Sequence, residues 1–551
     1  MTNWLTRAIL PVALGASIVA PFLAQTPQGA RPRTPESAAH AATGFQPGEN
    51  CLACHNTLTT SSGEDVSIGS AWRASMMANS ARDPYWQASV RRESIDHRSA
   101  RKAIEDECSI CHMPMARAQA RAAGAQGEVF AHLPIGRHES PPARLAADGV
   151  SCTLCHQIAE DGLGTRGSFT GRFVVKGAPA HSEPSMFGSF TVDAGRSSVM
   201  RSSSGAKPTE SAHMRQSELC ATCHTLYTEA IGAEGKAAGS LPEQVPFLEW
   251  QHSAFRNERS CQSCHMPVVS EPTPVSSVFG EPHEGFSRHT FIGGNFFMLR
   301  MFNRFRNELG VWALPLELEA SARATVRQLQ SDTATVSILN GTMVGTRLQI
   351  DVAVSNLTGH KLPTGYPSRR AWLHLAVRDA AGRIVFESGA VSRAGAIDGN
   401  DNDADAARYE PHYDEIRNPD EVQIYESVMT DASGSVTTGL LFGTAFVKDN
   451  RLLPRGFDKA TAVPDIAVRG TALEDGNFGA SGDRVRFLPD VSGAGGPFEI
   501  EVELRYQPIG FRWAQNLKRY DAEEPRRFIS FYEAMAQDSS VVLARSTARV
   551  P

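Results

Sequence analysis

The sequence predicts a multidomain α+β protein, in which a mainly helical and loop-rich region precedes an antiparallel β-sandwich domain. All ten cysteines fall within the first half of the chain, among short periodic segments and long Gly-, Ser- and Pro-rich loops. After residue 332 the pattern changes to short runs that alternate apolar and polar residues. The length of 551 residues also requires at least two domains.

The composition is that of a soluble globular protein. Hydrophobic residues make up 41% of the chain and charged residues 21%, which excludes disordered, collagen-like and coiled-coil classes. The 60 acidic and 54 basic residues give a formal net charge of -6. Such a balance creates no overall field that attracts a nucleic-acid backbone, so no nucleic-acid partner is predicted.

The N-terminus has the pattern of an export signal. Residues 1–24 contain Arg7 followed by an apolar run of signal-peptide length, and Ala24 is a candidate last residue of the signal. Phe22 occupies a position where a small residue is preferred, so an uncleaved N-terminal tether is the alternative. Residues 25–46 are rich in Pro, Ala and Gln without periodicity, which predicts a flexible leader. No other segment has the roughly 18–20 apolar residues of a membrane span, so we expect a periplasmic or extracellular protein.

Every cysteine belongs to a Cys-x-x-Cys-His motif. The five motifs comprise Cys51, Cys54 and His55; Cys108, Cys111 and His112; Cys152, Cys155 and His156; Cys220, Cys223 and His224; and Cys261, Cys264 and His265. Two thiols at this spacing reach both vinyl groups of one haem, and the next His binds its iron as proximal ligand. Structural zinc sites do not require a His after each CxxC, and a thioredoxin-like motif would occur once. The sequence therefore predicts five covalent haem c groups.

The haem region spans residues 47–300, about fifty residues for each haem. This is too little protein to enclose each porphyrin in a hydrophobic core of its own. We therefore expect haems that contact one another and form much of the core, with short helices and little sheet around them.

Four further histidines are candidate distal ligands, since imidazole is the usual axial partner of haem c iron. His289 lies among aromatic residues and paired glycines, His213 lies just before Cys220, and His138 precedes the third motif through a short constrained connection. His360 lies in a Gly- and Pro-bounded turn between two β-patterned runs, from which it would bind a haem from the second domain. The alternative for each is a solvated or hydrogen-bonded histidine without a metal.

Met76 is a candidate ligand of a different kind. It lies on a predicted amphipathic helix, and a thioether ligand would raise the potential of one haem above those with two histidines. The alternative is ordinary core packing by a flexible side chain.

The second domain is predicted at residues 333–551, after a helical connector at 301–332. The predicted strands are residues 333–339, 347–355, 371–379, 383–388, 422–430, 437–442 and 498–505. Short strands without intervening helical periods indicate an antiparallel β-sandwich, which a helical segment at 511–537 closes. The domain contains no cysteine and no evident nucleophile triad, so its catalytic residues, if any, are unknown.

An acidic run from Asp398 to Asp405 carries carboxylates at alternate positions, like the start of a calcium loop. Counted from Asp401, the positions of the required Gly and bidentate Glu hold Ala406 and His412, so an EF-hand is not predicted. A solvated acidic loop and a calcium site of another kind remain as alternatives.

The motifs together resemble the multihaem cytochrome c superfamily, and in particular its cytochrome c554-like members. The resemblance covers most of residues 47–530. It is carried by GVSCTLCHQI, SELCATCHTLYT, CQSCHMP, HTFIGGN, GHKLPTGYPSRRAW and KDNRLLPRGF. It implies closely stacked haems, mainly bis-histidine coordination and a C-terminal β domain.

The resemblance includes both carriers and enzymes, so it leaves the function open. The first hypothesis is an exported pentahaem cytochrome that transfers electrons between redox partner proteins. The second is a multihaem oxidoreductase that acts on a small nitrogen or sulfur compound at one open haem. The third is a β domain that binds a substrate or partner. Pentahaem nitrite reductases typically place Lys after their catalytic CxxC, whereas all five motifs here end in His, which favours the carrier.

Overall fold

The structure, a computed structural model, describes residues 44–176, 183–232, 235–480 and 482–551. The predicted signal peptide at 1–24 and all but the end of the leader at 25–46 lie outside the described residues. Within the described residues, no helix is both long and apolar enough to cross a membrane.

The described α-helices are mostly short. They are α1 Glu49–Leu52, α2 Ile68–Arg73, α3 Pro84–Asp96, α4 Arg101–His112, α5 Pro114–Ala122, α6 Pro141–Ala147, α7 Cys152–Cys155, α8 Ala194–Ser204, α9 Ser217–His224, α10 Pro246–Gln251, α11 Cys261–His265, α12 Phe296–Arg304, α13 Pro315–Ser331, α14 Asp401–Ala404, α15 Phe511–Gln515 and α16 Glu523–Met535.

Most of the described strands follow the helices in the chain. They are β1 Ser185–Gly188, β2 Lys207–Glu210, β3 Leu226–Ile231, β4 Ala237–Gln244, β5 Thr273–Pro274, β6 Pro282–His283, β7 Ala334–Val344, β8 Arg347–Asn356, β9 Arg370–Arg378, β10 Ile384–Ser388, β11 Glu415–Ile416, β12 Ile424–Tyr425, β13 Ser427–Thr430, β14 Val436–Thr437, β15 Ala445–Asp449, β16 Asp483–Phe487, β17 Phe498–Gln507 and β18 Val541–Val550.

Helix α3 shows how local sequence fixes an element of the first half. Asp83 caps it, because its Oδ1 accepts the backbone N–H groups of Tyr85 at 2.9 Å and Trp86 at 3.2 Å. Pro84 occupies the first turn, where its missing N–H costs no hydrogen bond. The helix thereby begins at a defined residue and holds Trp86 against the motif that ends at His112.

Two larger sheets form the second half. One has the strand order β10-β9-β17-β18, with β12 also paired to β9, and the other has the order β11-β16-β8-β7. On β8 the residues Leu348, Ile350, Val352 and Val354 are buried and the residues between them are less so, as expected when one face of a sheet packs on a core.

The helical and sheet-rich halves share one hydrophobic core. Phe296, Phe297 and Phe302 of α12 belong to the same buried cluster as the inward-facing residues of β8, β9 and β17. The C-terminal helix α16 packs on α3. Arg91 and Glu524 join these two helices through two hydrogen bonds of 2.7 and 2.8 Å.

The structure confirms a chain that combines helices with mainly antiparallel sheets. Strands β7, β8, β9, β10 and β17 lie close to their predicted ranges. The predicted strand at 422–430 is interrupted at Glu426, and residues 437–442 form a two-residue strand followed by a helical turn at Leu440–Phe442. The second half also contains a short parallel pair, β11 with β16. The connector is two separate helices, α12 and α13.

Strands β15, β16 and β18 were not predicted. The signal of β18 is weak because only part of the strand is buried, and several of its residues are exposed or polar. It is held in place by a nine-residue pairing with β17. Long-range hydrogen bonding, and not its own hydrophobic pattern, therefore determines this strand.

Candidate haem-binding cavity

The CxxCH motifs lie on or at the end of short helices. His112, His224 and His265 are the last residues of α4, α9 and α11, whereas the cysteines of the third motif begin and end α7. In a helix, residues three and four positions apart lie on the same face. This arrangement presents both thiols and the following imidazole of a motif toward one side of its helix.

All five motifs line a single cavity of about 1900 Å³. An ordinary small-molecule site occupies about 300–1,000 Å³, so this cavity is large enough for more than one such group. The ten cysteines are all free, and none of them forms a disulfide. The donor set and the space therefore fit several haems held by thioether links.

Contacts between thiols show which motifs are neighbours. Cys51 of the first motif hydrogen-bonds to Cys152 of the third. Cys111 of the second contacts Cys223 of the fourth in the same way. Cys220, also of the fourth motif, contacts Cys261 of the fifth. The fourth motif is thus adjacent to both the second and the fifth.

The third and fourth motifs interact as well. The pKa of Cys220 is raised by its hydrogen bond to Cys261, by burial, and also by the nearby Cys155 thiol. Cys155 acts on the pKa of Cys223 too, after the hydrogen bond to Cys111 and burial. The five motifs therefore form one connected group, although they are far apart in the chain.

Two of the motif histidines each face a further histidine, and the distance between the ring centres is the same in both pairs. The ring centres of His156 and His289 are 6.3 Å apart with an interplanar angle of 15°. Those of His265 and His360 are also 6.3 Å apart, with an angle of 12°. One metal bound to two imidazole nitrogens at about 2 Å each, with each nitrogen about 1 Å from its ring centre, separates the centres by about 6 Å. Both gaps fit one iron.

The same four histidines share a hydrogen-bond pattern that leaves one nitrogen available. Nδ1 of His156 lies 2.6 Å from the carbonyl oxygen of Phe187, and Nδ1 of His265 lies against the carbonyl oxygen of Ile292. In His289 and His360, Nδ1 lies 3.0 and 2.9 Å from the carbonyl oxygens of the neighbouring Ser287 and Lys361. Since a carbonyl only accepts, Nδ1 carries the proton, and Nε2 keeps the lone pair that a metal requires.

Burial favours the neutral form of these rings. It lowers the pKa of His289 and of His360 to about 4, and it also lowers the pKa of His156 and His265. A neutral imidazole is the form that binds iron. Tautomer and protonation therefore both suit ligation.

The other three motif histidines have different surroundings. His55 and His112 also donate from Nδ1 to carbonyl oxygens, of Val275 at 2.7 Å and Ser80 at 3.0 Å. The indole of Trp86 stacks on the His112 ring at 4.3 Å with an angle of 3°. Among the ring contacts of the described residues, none places a second imidazole opposite His55, His112 or His224.

Two predicted distal ligands lie in positions that do not favour ligation. Nδ1 of His213 is 2.7 Å from the Ser211 hydroxyl, and its Nε2 is 2.9 Å from the carbonyl oxygen of Ile158, so neither ring nitrogen is available. His138 is exposed and does not line the cavity, and its Nε2 lies 3.4 Å from the carbonyl oxygen of Leu133. Proximity to a motif in sequence was the reason for both predictions, and sequence distance does not determine ring orientation.

The position of Met76 is compatible with both axial ligation of a haem and ordinary core packing. Its side chain lines the large cavity and also packs against the main hydrophobic core. Axial ligation by Met76 therefore stays a prediction.

A buried ionic cluster fixes the segment that carries His360. The Lys361 ammonium lies 2.8 Å from Asp449, and Arg451 contacts both Asp449 at 2.7 Å and Glu249 at 2.9 Å. Glu249 also accepts the backbone N–H of Lys361 at 3.1 Å. The four side chains are at most 8% exposed. Glu249 belongs to α10, so this cluster connects the helical half to the loop beside His360. Nothing in the local sequence predicts it.

A buried cluster of one histidine and two aspartates does not suit a metal. His412, Asp475 and Asp483 are buried and close together. However, Nδ1 of His412 faces the amide nitrogens of Gln423 at 2.8 Å and Asn450 at 3.1 Å, both of which donate. The proton of His412 therefore lies on Nε2, where it is donated to Asp475 at 3.1 Å.

One carboxylate of the acidic loop is neither solvated nor free to bind calcium. Asp403 is buried and accepts two hydrogen bonds of 2.8 Å from Arg370. Asp401 pairs with Arg408 at 2.6 Å. Both predicted alternatives are wrong for Asp403, because arginine supplies the positive charge that its carboxylate needs.

The fold has a counterpart among solved structures, although no protein-family model and no curated protein matches the sequence. The structure is similar to the crystal structure of a penta-heme cytochrome c552 from Thermochromatium tepidum, with a TM-score of 0.53 and 14% sequence identity. The match covers 92% of this chain and 100% of that chain. At this identity the likeness shows the fold alone.

Proposed function

We propose that this chain is an exported pentahaem c-type cytochrome that transfers electrons between redox partner proteins. The observation that carries the proposal is the pair of facing histidines at His156/His289 and His265/His360, inside one cavity that all five CxxCH motifs line. The similarity in fold to a penta-heme cytochrome supports it. A closer relationship to cytochrome c554-like proteins is part of the proposal.

In this proposal the ten motif cysteines hold five haems, and the five motif histidines are their proximal ligands. His289 and His360 are the second axial ligands of the third and fifth motifs. Haem c supplies a one-electron couple when bound. The carbonyl oxygens that accept from Nδ1 hold each ring in one orientation and strengthen the donor character of Nε2. The chain thus determines the ligand geometry and, through it, the potential.

The contacts between thiols support a route for electrons. The first motif contacts the third, the third lies close to the fourth, and the fourth contacts the second and the fifth. We infer that electrons move along this connected group, with the fourth haem as its branch point. The spatial order of the haems therefore differs from their order in the sequence.

The proposal includes a location and a division of the chain. Residues 1–24 act as the signal peptide that takes the protein to the periplasm or the exterior. The haem domain comprises residues 47–300, and a connector at 301–332 leads to a sandwich-like β domain at 333–551. The β domain covers the haems and supplies His360, so it serves as a structural part of the carrier.

A second candidate function is a multihaem oxidoreductase with one open haem. It is favoured by the absence of a facing imidazole opposite His55, His112 and His224 among the described residues. Any of these haems that lacks a sixth protein ligand would bind a small nitrogen or sulfur compound.

The test is to count haems and their spin states. Intact mass should show five haem additions on the mature chain. Electron paramagnetic resonance of the ferric protein should show only low-spin haems for a carrier. A high-spin signal that disappears on addition of cyanide would support the oxidoreductase instead, and fewer than five haems would contradict both.

A further inference from the structure

A buried carboxylate lies in the cavity beside the second motif without a basic partner. Glu243, at the end of β4, is 6% exposed and lines the cavity. Within the part of the chain that the structure describes, its carboxylate accepts one hydrogen bond, from the Thr228 hydroxyl at 2.5 Å, and it forms no ion pair. Burying a charge in this way is costly unless the charge is compensated or the group binds a proton.

The charges around Glu243 are mostly acidic. Burial raises the pKa of the Cys108 thiol well above its usual value, and the nearby carboxylates of Glu243, Glu93 and Glu107 raise it further. The titratable and charged groups that face Glu243 or its neighbour Glu93 are Arg92, Glu93 and Asp96 on α3, His97 directly after that helix, Glu107 and Cys108 on α4, and Tyr366 in the loop before β9.

Glu93 and Glu243 differ in how their negative charge is stabilised. Burial raises the pKa of Glu93, but the Arg92 guanidinium and the backbone N–H of Leu440, which Glu93 accepts at 2.8 Å, oppose that rise. Glu243 has the Thr228 hydroxyl alone. Of the two carboxylates, Glu243 therefore has fewer groups that stabilise its negative charge.

We propose that Glu243 binds a proton when the haem attached to Cys108 and Cys111 is reduced, so that electron transfer through this haem is coupled to proton uptake. The inference rests on the proposed function, because it requires a haem at the second motif. One electron from a redox partner converts ferric to ferrous iron, and one proton from solvent binds a carboxylate oxygen of Glu243. No other bond is formed or broken.

The direction of the coupling follows from the charges. Burial, and to a lesser extent the charge of Glu93, raises the pKa of Glu243 to about 7. An added electron on a haem nearby raises it further, because the ionised carboxylate is disfavoured by a new negative charge. The proton is therefore bound in the reduced state over a pH window that begins near neutrality. In that window the midpoint potential of this haem falls as pH rises.

The experiment is a spectroelectrochemical titration of the holoprotein at a series of pH values from 5.5 to 9. In the wild type, one haem should show a potential that falls by up to about 59 mV for each tenfold decrease in proton concentration. In Glu243→Gln, which keeps the shape and an acceptor for Thr228, this dependence should disappear. The control Glu308→Gln removes an exposed carboxylate that does not line the cavity and should leave it unchanged.

Two further variants separate a proton site from a structural role. Thr228→Val removes the hydrogen bond that favours the ionised form, so the pH window should move upward. Glu93→Gln removes a repelling charge, so the window should move downward and the dependence should persist. A merely structural role for Glu243 would not produce shifts of opposite sign.

Proton uptake can be measured even if the Glu243 variant does not mature. A pH indicator dye in weakly buffered wild-type protein should report proton uptake on reduction with a stoichiometric one-electron donor near neutral pH. If the wild type holds five haems and all potentials are independent of pH in this range, the proposal is overturned. If fewer than five haems are present, the proposed function fails instead, so the two failures are distinguishable.

Discussion

The imidazole of His360 lies parallel to that of His265, with ring centres 6.3 Å apart. His265 ends a helix in the first half of the chain, whereas His360 lies in a loop between two strands of the second half. Nδ1 of each ring is held by a backbone carbonyl oxygen. This relationship links the two halves of the chain at a single proposed iron. It also leads to the most direct test of the proposed ligand set.

His360→Ala and His289→Ala should each convert one low-spin ferric haem to a high-spin or water-ligated form, because each removes a proposed axial imidazole. Electron paramagnetic resonance and the visible spectrum measure the change. His138→Ala is the matched control, since His138 is exposed and does not line the cavity. An unchanged spectrum in His360→Ala would remove this residue from the ligand set.

His213→Ala should leave the spin states unchanged. Both ring nitrogens of His213 are hydrogen-bonded to protein atoms, so its loss costs about 1–3 kcal/mol of folding stability and no haem ligand. Denaturant unfolding and the ferric spectrum report these two effects separately. A new high-spin signal in this variant would show that the ring is reoriented toward an iron.

The replacement of both Cys51 and Cys54 by alanine should remove one haem from the intact mass and leave four attached, because in the proposed function each motif binds its own haem. Ala53→Ser is the control, since it alters an exposed position of the same motif without removing a thiol. Loss of more than one haem in the double variant would indicate that attachment at one motif depends on another.

Asp449→Asn should destabilise the fold by about 3–5 kcal/mol, because it leaves Lys361 and Arg451 buried without their shared carboxylate. The control Asp420→Asn alters an exposed aspartate and should change stability by less than about 0.5 kcal/mol. Denaturant unfolding measures both. Equal stability of the two variants would contradict a structural role for the cluster.

The Asp449 carboxylate also makes the stability of the fold depend on pH in the acid range. Burial alone would raise the pKa of Asp449, but Arg451 and Lys361 lower it to about 2. A group whose pKa is lower in the folded state stabilises the fold above its ordinary pKa and loses that contribution as pH falls. The wild type should therefore lose about 2 kcal/mol between roughly pH 4 and pH 2 through this group, a loss that Asp449→Asn lacks.

Arg370→Met should destabilise the fold by about 3–5 kcal/mol, because Asp403 then remains buried and unpaired. Arg408→Met removes an exposed partner of Asp401 in the same loop and should cost about 0–1 kcal/mol. Calcium and a calcium chelator should both leave the melting temperature unchanged. A rise in melting temperature with calcium would restore a metal site in this loop.

The parts of the structure that the sequence predicts best are those with a local signal. The CxxCH spacing indicates haem attachment without knowledge of the fold. The alternating strand β8 and the mainly apolar strand β9 lie close to their predicted ranges. His360 was singled out because Gly and Pro define the turn around it. A tight turn fixes where a side chain begins, and the structure adds what that side chain faces.

The remaining features depend on contacts between distant segments. Trp86 stacks on His112, Glu249 approaches Lys361, and Glu243 approaches Glu93, yet neither partner of any pair carries a pattern that indicates the other. The orientation of His213 and the pairing of Asp403 with Arg370 are likewise decided by tertiary structure. From the sequence, His213 was a candidate haem ligand and Asp403 belonged to an acidic loop that was either solvated or a calcium site, because local spacing contains no information on hydrogen-bond partners.

The packing of α16 on α3 has a consequence for biogenesis. The last helix covers a surface of the helical half, and Phe296, Phe297 and Phe302 complete their core with strands that are synthesised after all five motifs. Synthesis from the N-terminus therefore produces all five CxxCH motifs before the segments that enclose them. In the proposed function, haem attachment would take place on an open chain, and enclosure of the haems would follow once the C-terminal helix is in place.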